Sequence, residues 1–282
     1  MTAEAVMYDR LGLYEKAMPQ GLGWDEMLAS ARRAGFDFLD ISIDEGEMRL
    51  ARLFWTADQR AAVRQAARQA DLPIGTMCLS AHRKYPLGSR DAATRARSLE
   101  IFQRAADLAV DLGARVIQLA GYDVYYEQGG DDTAAYFAEN LARCAELAAA
   151  VGVPMGFETM ETPFMDTVAK AMAYVRLIDS PYLGVYPDLG NLTNAGLLYG
   201  FDPIDELQHG RGRLLAMHLK ETLPGQYRDL RFGEGHVDFL RGIAAAWALG
   251  IHRFVAECWY DGAPDWQASI AQVSDFVRGH FA

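Results

Sequence analysis

Four stretches of this 282-residue chain share one pattern, a short apolar run that ends in a residue able to bind a metal or move a proton. Residues 153–158 read Val-Pro-Met-Gly-Phe-Glu, 183–188 Leu-Gly-Val-Tyr-Pro-Asp, 214–218 Leu-Leu-Ala-Met-His and 254–257 Phe-Val-Ala-Glu. In a strand alternate side chains share a face, so each terminal polar residue projects past the apolar part while its neighbour points the other way. Glu158, Asp188, His218 and Glu257 follow one another at intervals of 30, 30 and 39 residues, each about one strand–helix–strand unit. One such ending is ordinarily a polar strand end paired with an arginine or a backbone amide; four on consecutive strands point to a site.

Three carboxylates and an imidazole form an oxygen-rich donor set suited to one divalent ion, Mn²⁺, Mg²⁺ or Co²⁺, and compatible with Zn²⁺; the residue types do not choose among them. Crowded together without a cation, the carboxylates would repel one another and raise each other's pKa, which a divalent ion prevents. The chemistry that suits the set is proton abstraction beside a carbonyl, with a metal stabilising the enediolate of a ketose. Glu158 and Glu257 come from strands separated by two others and can lie on opposite faces of a bound sugar. If one removes a proton and the other returns it from the far side, the carbon is inverted, an epimerisation; return to the adjacent carbon would give isomerisation.

The elements that must position these residues alternate regularly. Apolar strand patterns are expected at 11–15, 38–43, 73–78 and 115–119, ahead of the four runs already described. Helical spacing falls between them at 24–34, 56–70 (with Thr56 as N-cap), 91–112, 132–150, 166–178, 203–208, 239–248 and 265–280. Eight strand–helix pairs in a chain of this length predict a single-domain (β/α)8 TIM barrel over residues 1–282, because parallel strands need crossover helices and eight of them can close the sheet. The alternative, a doubly wound open sheet, lacks its usual support: no G-x-G-x-x-G or G-x-x-x-x-G-K-[ST] loop follows an early strand. In a barrel, residues at the C-terminal strand ends line the catalytic mouth, where the four would meet.

Composition narrows the functional classes. Hydrophobic residues make up 51% of the chain and charged residues 23%, enough for a large core, with disorder expected only near residues 2–8. A formal charge of −11 argues against general affinity for nucleic acid or anionic membrane. No apolar run reaches transmembrane length and residues 1–10 lack the order of a signal peptide, so a cytoplasmic protein is expected. Cys78, Cys144 and Cys258, odd in number and in no CxxC arrangement, read as reduced core thiols.

The Glu/Asp/His/Glu set and several stretches resemble the xylose-isomerase-like TIM barrel superfamily, most closely its bacterial L-ribulose-5-phosphate (L-xylulose-5-phosphate) 3-epimerases of ascorbate catabolism. The stretches are Leu13-Tyr-Glu-Lys-Ala, Phe36-Asp-Phe, Met77-Cys-Leu-Ser-Ala-His-Arg, Val116-Ile-Gln-Leu-Ala-Gly-Tyr-Asp-Val-Tyr-Tyr, Tyr186-Pro-Asp-Leu-Gly-Asn-Leu and Phe232-Gly-Glu-Gly-His-Val-Asp-Phe. The resemblance implies a metal held by Glu158, Asp188, His218 and Glu257, with the two glutamates doubling as the acid/base pair. Related 3-epimerases of free ketoses carry a histidine three residues after the aspartate and an arginine six after the metal histidine. Here those positions are Asn191 and Pro224, a departure that leaves room for a phosphorylated substrate.

For the phosphate, Lys16, His82, Arg83 and Lys220 lie just past expected strand ends, where they could hold a dianion; each alone could equally be a solvated loop charge. Tyr14, Tyr122 and Trp259 are candidates for an aromatic wall against the sugar, with core packing the alternative. Gly233 and Gly235 suggest a tight loop over the mouth, or simply a turn. His209, His252 and His280 fall outside any cluster and are assigned no role. The expected partner is a small sugar phosphate, and a homo-oligomer is compatible with the sequence.

Three rival functions carry their own signatures. An abasic-DNA endonuclease of the same superfamily would want several more histidines and a basic groove, which six His and a net negative charge do not supply. An isomerase or a dehydratase of a cyclic polyol could use the same metal and base. A non-catalytic sugar-binding protein would have no need of both Glu158 and Glu257.

Overall fold

Strand and helix alternate from β1 to α10 in the computed structural model, which describes residues 10–281. In chain order the elements are β1 (Arg10–Tyr14), α1 (Trp24–Arg33), β2 (Phe38–Ile43), α2 (Glu47–Leu50), α3 (Ala57–Ala70), β3 (Ile74–Leu79), α4 (Ala92–Leu112), β4 (Ile117–Ala120) and α5 (Asp131–Val151). Then follow β5 (Met155–Glu158), α6 (Val168–Ile178), β6 (Leu183–Tyr186), α7 (Leu189–Tyr199), α8 (Pro203–Leu207), β7 (Met217–Leu219), α9 (Phe239–Ala248), β8 (Arg253–Ala256) and α10 (Trp266–Arg278). The expectations for residues 1–9, no signal sequence and disorder near 2–8, lie outside the described residues. No helix among the described residues is long and apolar enough to cross a membrane.

All strand pairs are parallel, in the order β6-β5-β4-β3-β2-β1-β8-β7. The remaining seam closes through two isolated bridges, Val185 with Leu214 and Asp188 with His218, reinforced by the His218 amide donating to the Pro187 carbonyl at 2.9 Å. The result is the TIM barrel that the alternation predicted, with helices outside the sheet.

Period-two alternation sorts the strand residues into two cores. Leu11, Leu13, Leu39, Ile41, Met155, Phe157, Leu183, Val185, Met217 and Phe254 pack in the large cluster beneath the helices. Tyr14, Phe38, Cys78, Tyr186, Ala216 and Val255 form a second cluster inside the barrel. The inner space is tight around Phe38: a Cβ on Gly12 or Gly75 would stand 2.2 or 2.3 Å from its ring, so only glycine fits on the flanking strands.

Capping fixes where helices begin. Thr56 and Gln59 form a reciprocal capping box at α3, and Asp91 accepts from the amides of Ala93 and Thr94 at α4. The chief difference from the sequence reading lies after β6. The strand expected to reach Asp188 ends at Tyr186, and Asp188 instead caps α7, a helix that the apolar pattern did not reveal. Its Leu-Gly-Asn-Leu-Thr-Asn-Ala-Gly sequence is poor in helix formers. Packing and the cap hold it, and its signal was an aspartate three residues before an amide that needed an acceptor.

Candidate metal-binding active site

The same alternation that buries Met155 and Phe157 outside the barrel turns Glu158 inward, at the last residue of β5. Asp188 stands two residues past inner Tyr186, His218 two past inner Ala216, and Glu257 two past inner Val255. All four are buried, and one donor atom from each lies within 4.8 Å of the others.

Histidine 218 is the hub. Its Nδ1 lies 3.2 Å from Glu158 Oε1, 3.6 Å from Glu257 Oε2 and 4.0 Å from Asp188 Oδ2. Its Nε2 faces the opposite way, 4.0 Å from Oδ2 of buried Asp40 on β2, and the edge of Tyr186 packs on the ring at 4.8 Å between centroids. Asp40 Oδ1 in turn accepts from the Thr76 hydroxyl at 2.5 Å.

Neighbouring groups fix the carboxylates. The Gln118 side-chain amide on β4 donates to Glu158 Oε2. Asp188 uses Oδ1 to accept from the Asn191 amide at 2.7 Å, capping α7, which leaves Oδ2 for the cluster. Lys220, two residues past His218, bridges Asp188 Oδ2 at 3.0 Å and Glu257 Oε2 at 3.2 Å.

These contacts drive the protonation states apart. Burial pushes Asp188 and Asp40 each up to about 7, against the opposing pull of Lys220 on the first and His218 on the second. Burial would also raise Glu257, but Lys220 and His218 outweigh it and hold this carboxyl low. Burial alone would keep His218 neutral, yet Glu257 and Glu158 overcome it and lift the imidazole to about 9. The cluster thus already gathers positive charge.

A metal fits this donor set: three carboxylates and one ring nitrogen converge, and the second nitrogen of the imidazole faces a carboxylate, the arrangement that orients ligating histidines. Binding requires neutral His218, so the cation must displace the proton held there and should bind more tightly as pH rises.

The pocket above the cluster contains five of the eight residues expected to contact substrate. Lys16, Arg83, Lys220 and Trp259 line it together with Tyr14, whose ring meets Trp259 edge to face at 6.2 Å. Lys16 pairs with Asp44 at 2.6 Å, and the Arg83 guanidinium lies 5.8 and 4.8 Å from the ring centroids of Tyr122 and Tyr125.

The other three stand back from it. Tyr122 is buried, donating to Glu161 at 2.7 Å, and reaches the pocket only through Arg83 and Glu161. Asn191 is buried and donates to the Thr159 carbonyl at 2.7 Å. His82 turns toward α4, where its Nε2 bonds to the Ser98 carbonyl at 3.1 Å and burial lowers its pKa to about 4. A buried neutral imidazole in that position does not face a phosphate.

Sequence reasoning did not single out Asp40, Gln118, Glu161, Tyr227 or Arg228, of which the last three line the pocket. Asp40 and Gln118 did carry a signal, each being a polar residue enclosed by apolar neighbours in a strand. Tyr227 and Arg228 sit in a long irregular segment and carried none.

A model of the xylose isomerase-like TIM barrel family matches residues 28–279. The L-ribulose-5-phosphate 3-epimerases UlaE of Salmonella paratyphi A and Salmonella enteritidis PT4 are each 41% identical to this chain over 273 residues, covering 96% of it and 95% of their own length. Among solved structures, the D-psicose 3-epimerase of Clostridium cellulolyticum H10 with D-tagatose superposes with a TM-score of 0.79 at 16% identity, covering 96% of this chain and 98% of that one. A structure of L-ribulose 3-epimerase gives 0.76 at 20%, covering 96% and 94%. Identities that low speak for the fold alone, but the full-length match to the Salmonella enzymes reaches further: the chain belongs to the xylose isomerase-like TIM barrel family, alongside its L-ribulose-5-phosphate 3-epimerases.

Proposed function

We propose that the chain is a metal-dependent 3-epimerase of a ketopentose 5-phosphate, interconverting L-ribulose 5-phosphate and L-xylulose 5-phosphate, with Glu158 and Glu257 as its two acid/base groups. The observation that carries this reading is that Glu158, the last residue of β5, and Glu257, just after β8, reach one point from strands three apart around the barrel, 3.2 and 3.6 Å from His218 Nδ1. A base on each side of a bound sugar is what inversion at one carbon requires. The substrate follows from the named activity of the Salmonella relatives.

One glutamate carboxylate accepts the C3 proton, leaving an enediolate across C2 and C3. The other glutamate, protonated, delivers its proton to the opposite face of C3, so one proton leaves and one arrives and the configuration inverts. Gln118 orients Glu158 for this task, and Lys220 keeps Glu257 ionised when it serves as the base. A divalent ion (Mn²⁺, Zn²⁺, Co²⁺ or Mg²⁺) held by Glu158, Asp188, His218 and Glu257 would supply the positive charge that favours an oxyanion at C2. Tyr14 and Trp259 offer an aromatic wall, and Lys16, Arg83 and Lys220 offer cations for the phosphate at the pocket. Reduced cysteines and a net charge of −11 agree with a cytoplasmic enzyme that works on a small anion rather than on nucleic acid.

The test is to follow both epimers by NMR in deuterated solvent with Glu158→Gln and Glu257→Gln, each with its metal content measured. Epimerisation should fall by about 10²–10⁴-fold in both. Each metal-loaded variant should still exchange the C3 proton of one epimer, and the two should differ in which one. Near-normal epimerisation by either would refute the two-base assignment.

A further inference from the structure

Four cations line the pocket, and they differ in depth. Lys220 is buried, whereas Lys16 and Arg83 are half-buried and Arg228 is exposed. Parity puts Lys220 at the floor: it follows inner Ala216 and His218 by the same step of two and continues their inward direction past the end of β7. Its main chain is clamped on both sides. The Glu257 amide donates to the Leu219 carbonyl at 2.8 Å, and the first turn of α7 comes so close that a Cβ at Gly190 would stand 2.5 Å from the Lys220 carbonyl oxygen. The Thr222 hydroxyl donates to the Gly190 carbonyl at 3.2 Å and ties that turn to the residues that follow.

An ammonium carries three N–H donors. Among the described residues the Lys220 ammonium pairs with two groups, Asp188 Oδ2 at 3.0 Å and Glu257 Oε2 at 3.2 Å. A donor remains for the pocket that Lys220 lines. Its neighbours decide what that donor can meet. A phosphate dianion placed there would also stand against Asp188 and Glu257, which repel it. A neutral carbonyl oxygen enters without that repulsion and gains charge only as the C3 proton passes to a glutamate, which neutralises the glutamate in the same step.

We infer that Lys220 is a catalytic residue, which donates an N–H to the C2 oxygen of the sugar as that oxygen takes up charge. This rests on the epimerase reading, since the charge arises only when C3 is deprotonated. The C3 proton goes to a glutamate, the bonding pair left behind becomes the C2–C3 double bond, and the carbonyl pair moves onto the C2 oxygen. Lys220 keeps its own protons throughout. A donor fixed before the reaction needs no rearrangement when the charge appears, and deleting one such donor slows turnover by about 10²–10³-fold.

The test compares the full chain with Lys220→Met, both saturated with Mn²⁺ and with metal content measured. Exchange of the C3 proton in deuterated solvent is followed by NMR from each 5-phosphate epimer, together with kcat and KM. Affinities are measured for two inhibitors: a hydroxamic acid bearing the same phosphate, whose planar anion mimics the enediolate, and the pentitol 5-phosphate, which cannot form one. Lys220→Met should slow exchange from both epimers by about 10²–10³-fold, because the enediolate is common to both, with KM within about threefold. It should weaken the hydroxamate by a similar factor and the pentitol phosphate by less than about threefold. Slowing from one epimer alone would reduce Lys220 to a partner of Glu257, equal loss of both inhibitors would make it a general anion contact, and near-normal exchange would leave it a structural ion pair. Each of these overturns the inference. If Lys220→Met fails to fold, the comparison is made on Lys220→Gln, which keeps N–H groups for the two carboxylates and should still lose at least about tenfold in exchange from both epimers. A wild type that exchanges neither epimer would instead defeat the epimerase reading. The hydroxamate then decides for Lys220 on its own: selective loss in the variant supports the donor role, and equal affinity in both proteins overturns it.

Discussion

Lysine 220 gives the sharpest test of how the charged cluster is balanced. Its ammonium is buried against Asp188 at 3.0 Å and Glu257 at 3.2 Å, and Lys220→Met keeps most of the stem while deleting the charge. Removing one partner of a buried ion pair costs about 3–5 kcal/mol because the other charge is left uncompensated. For 282 residues the unfolding entropy is about 0.6 kcal/mol per kelvin, so the chelated protein should melt about 5–8 °C lower. A divalent ion supplies the same compensation from the other side, so the metal-loaded variant should lose less than half as much. The penalty should also grow with pH. Burial lifts Asp188 to about 7 even with Lys220 pulling it down, so without the lysine it titrates higher still; toward pH 6 the variant takes up a proton and relieves the repulsion, whereas toward pH 9 the carboxylates are driven to ionise together. Calorimetry with and without chelator from pH 6 to 9 reads all of this. An equal loss of melting temperature in the chelated and loaded forms, or no loss in the chelated form, would refute the picture of a lysine and a cation sharing one set of carboxylates.

Arg83→Ala should raise KM for a pentulose 5-phosphate by about 10–100-fold and far less for the free pentulose, since it removes a charge-assisted contact at the pocket; equal effects on both sugars, read in steady-state assays, would place Arg83 outside the phosphate site. His82 has a folded pKa of about 4 against an ordinary 6.5, so the unfolded chain takes up the proton first, and stability present above pH 6.5 is lost as pH falls toward 4, by up to about 3 kcal/mol. His82→Gln retains a donor for the Ser98 carbonyl and should flatten that loss in urea titrations at pH 7 and 4.5; parallel curves for the two proteins would remove His82 as the cause.

The fold was legible where local signals agreed. β2 matches the expected residues 38–43, and Thr56 caps α3 as its position before an amphipathic run implied. It was obscured where tertiary contacts override propensity. Helix α7 combines two glycines and two asparagines with a cap by Asp188, and β7 shrinks to three residues because Leu214 and Leu215 meet β6 only at the barrel's closing seam. Both are decisions made by neighbours distant in sequence, which a window of apolar spacing does not register.

The site shows the same boundary at finer scale. Strand parity continues through the exits of β5, β6, β7 and β8, so counting in twos was enough to bring Glu158, Asp188, His218 and Glu257 to one point. Parity fails where the strand gives way to a turn. Ser80–Arg83 is a 3₁₀ segment, which advances about 120° per residue, so His82 and Arg83 point to different sides although they are adjacent in sequence. One becomes a neutral group in the core and the other a cation at the pocket. Arg228 lies further still from any periodic element, in an irregular segment where the amides of Gly233 and Val237 donate to Glu221, 12 and 16 positions before them. Asp40 and Gln118 are the opposite case. Both obey strand parity, both are polar on an inner face otherwise built from Tyr14, Phe38, Val116 and Val255, and both touch or face a predicted ligand. Burying such groups is costly unless they have partners, so their presence on an enclosed face already implied something polar inside the barrel beside them. For Asp40 that group is His218, three strands around the barrel, and for Gln118 it is Glu158 on the adjacent β5.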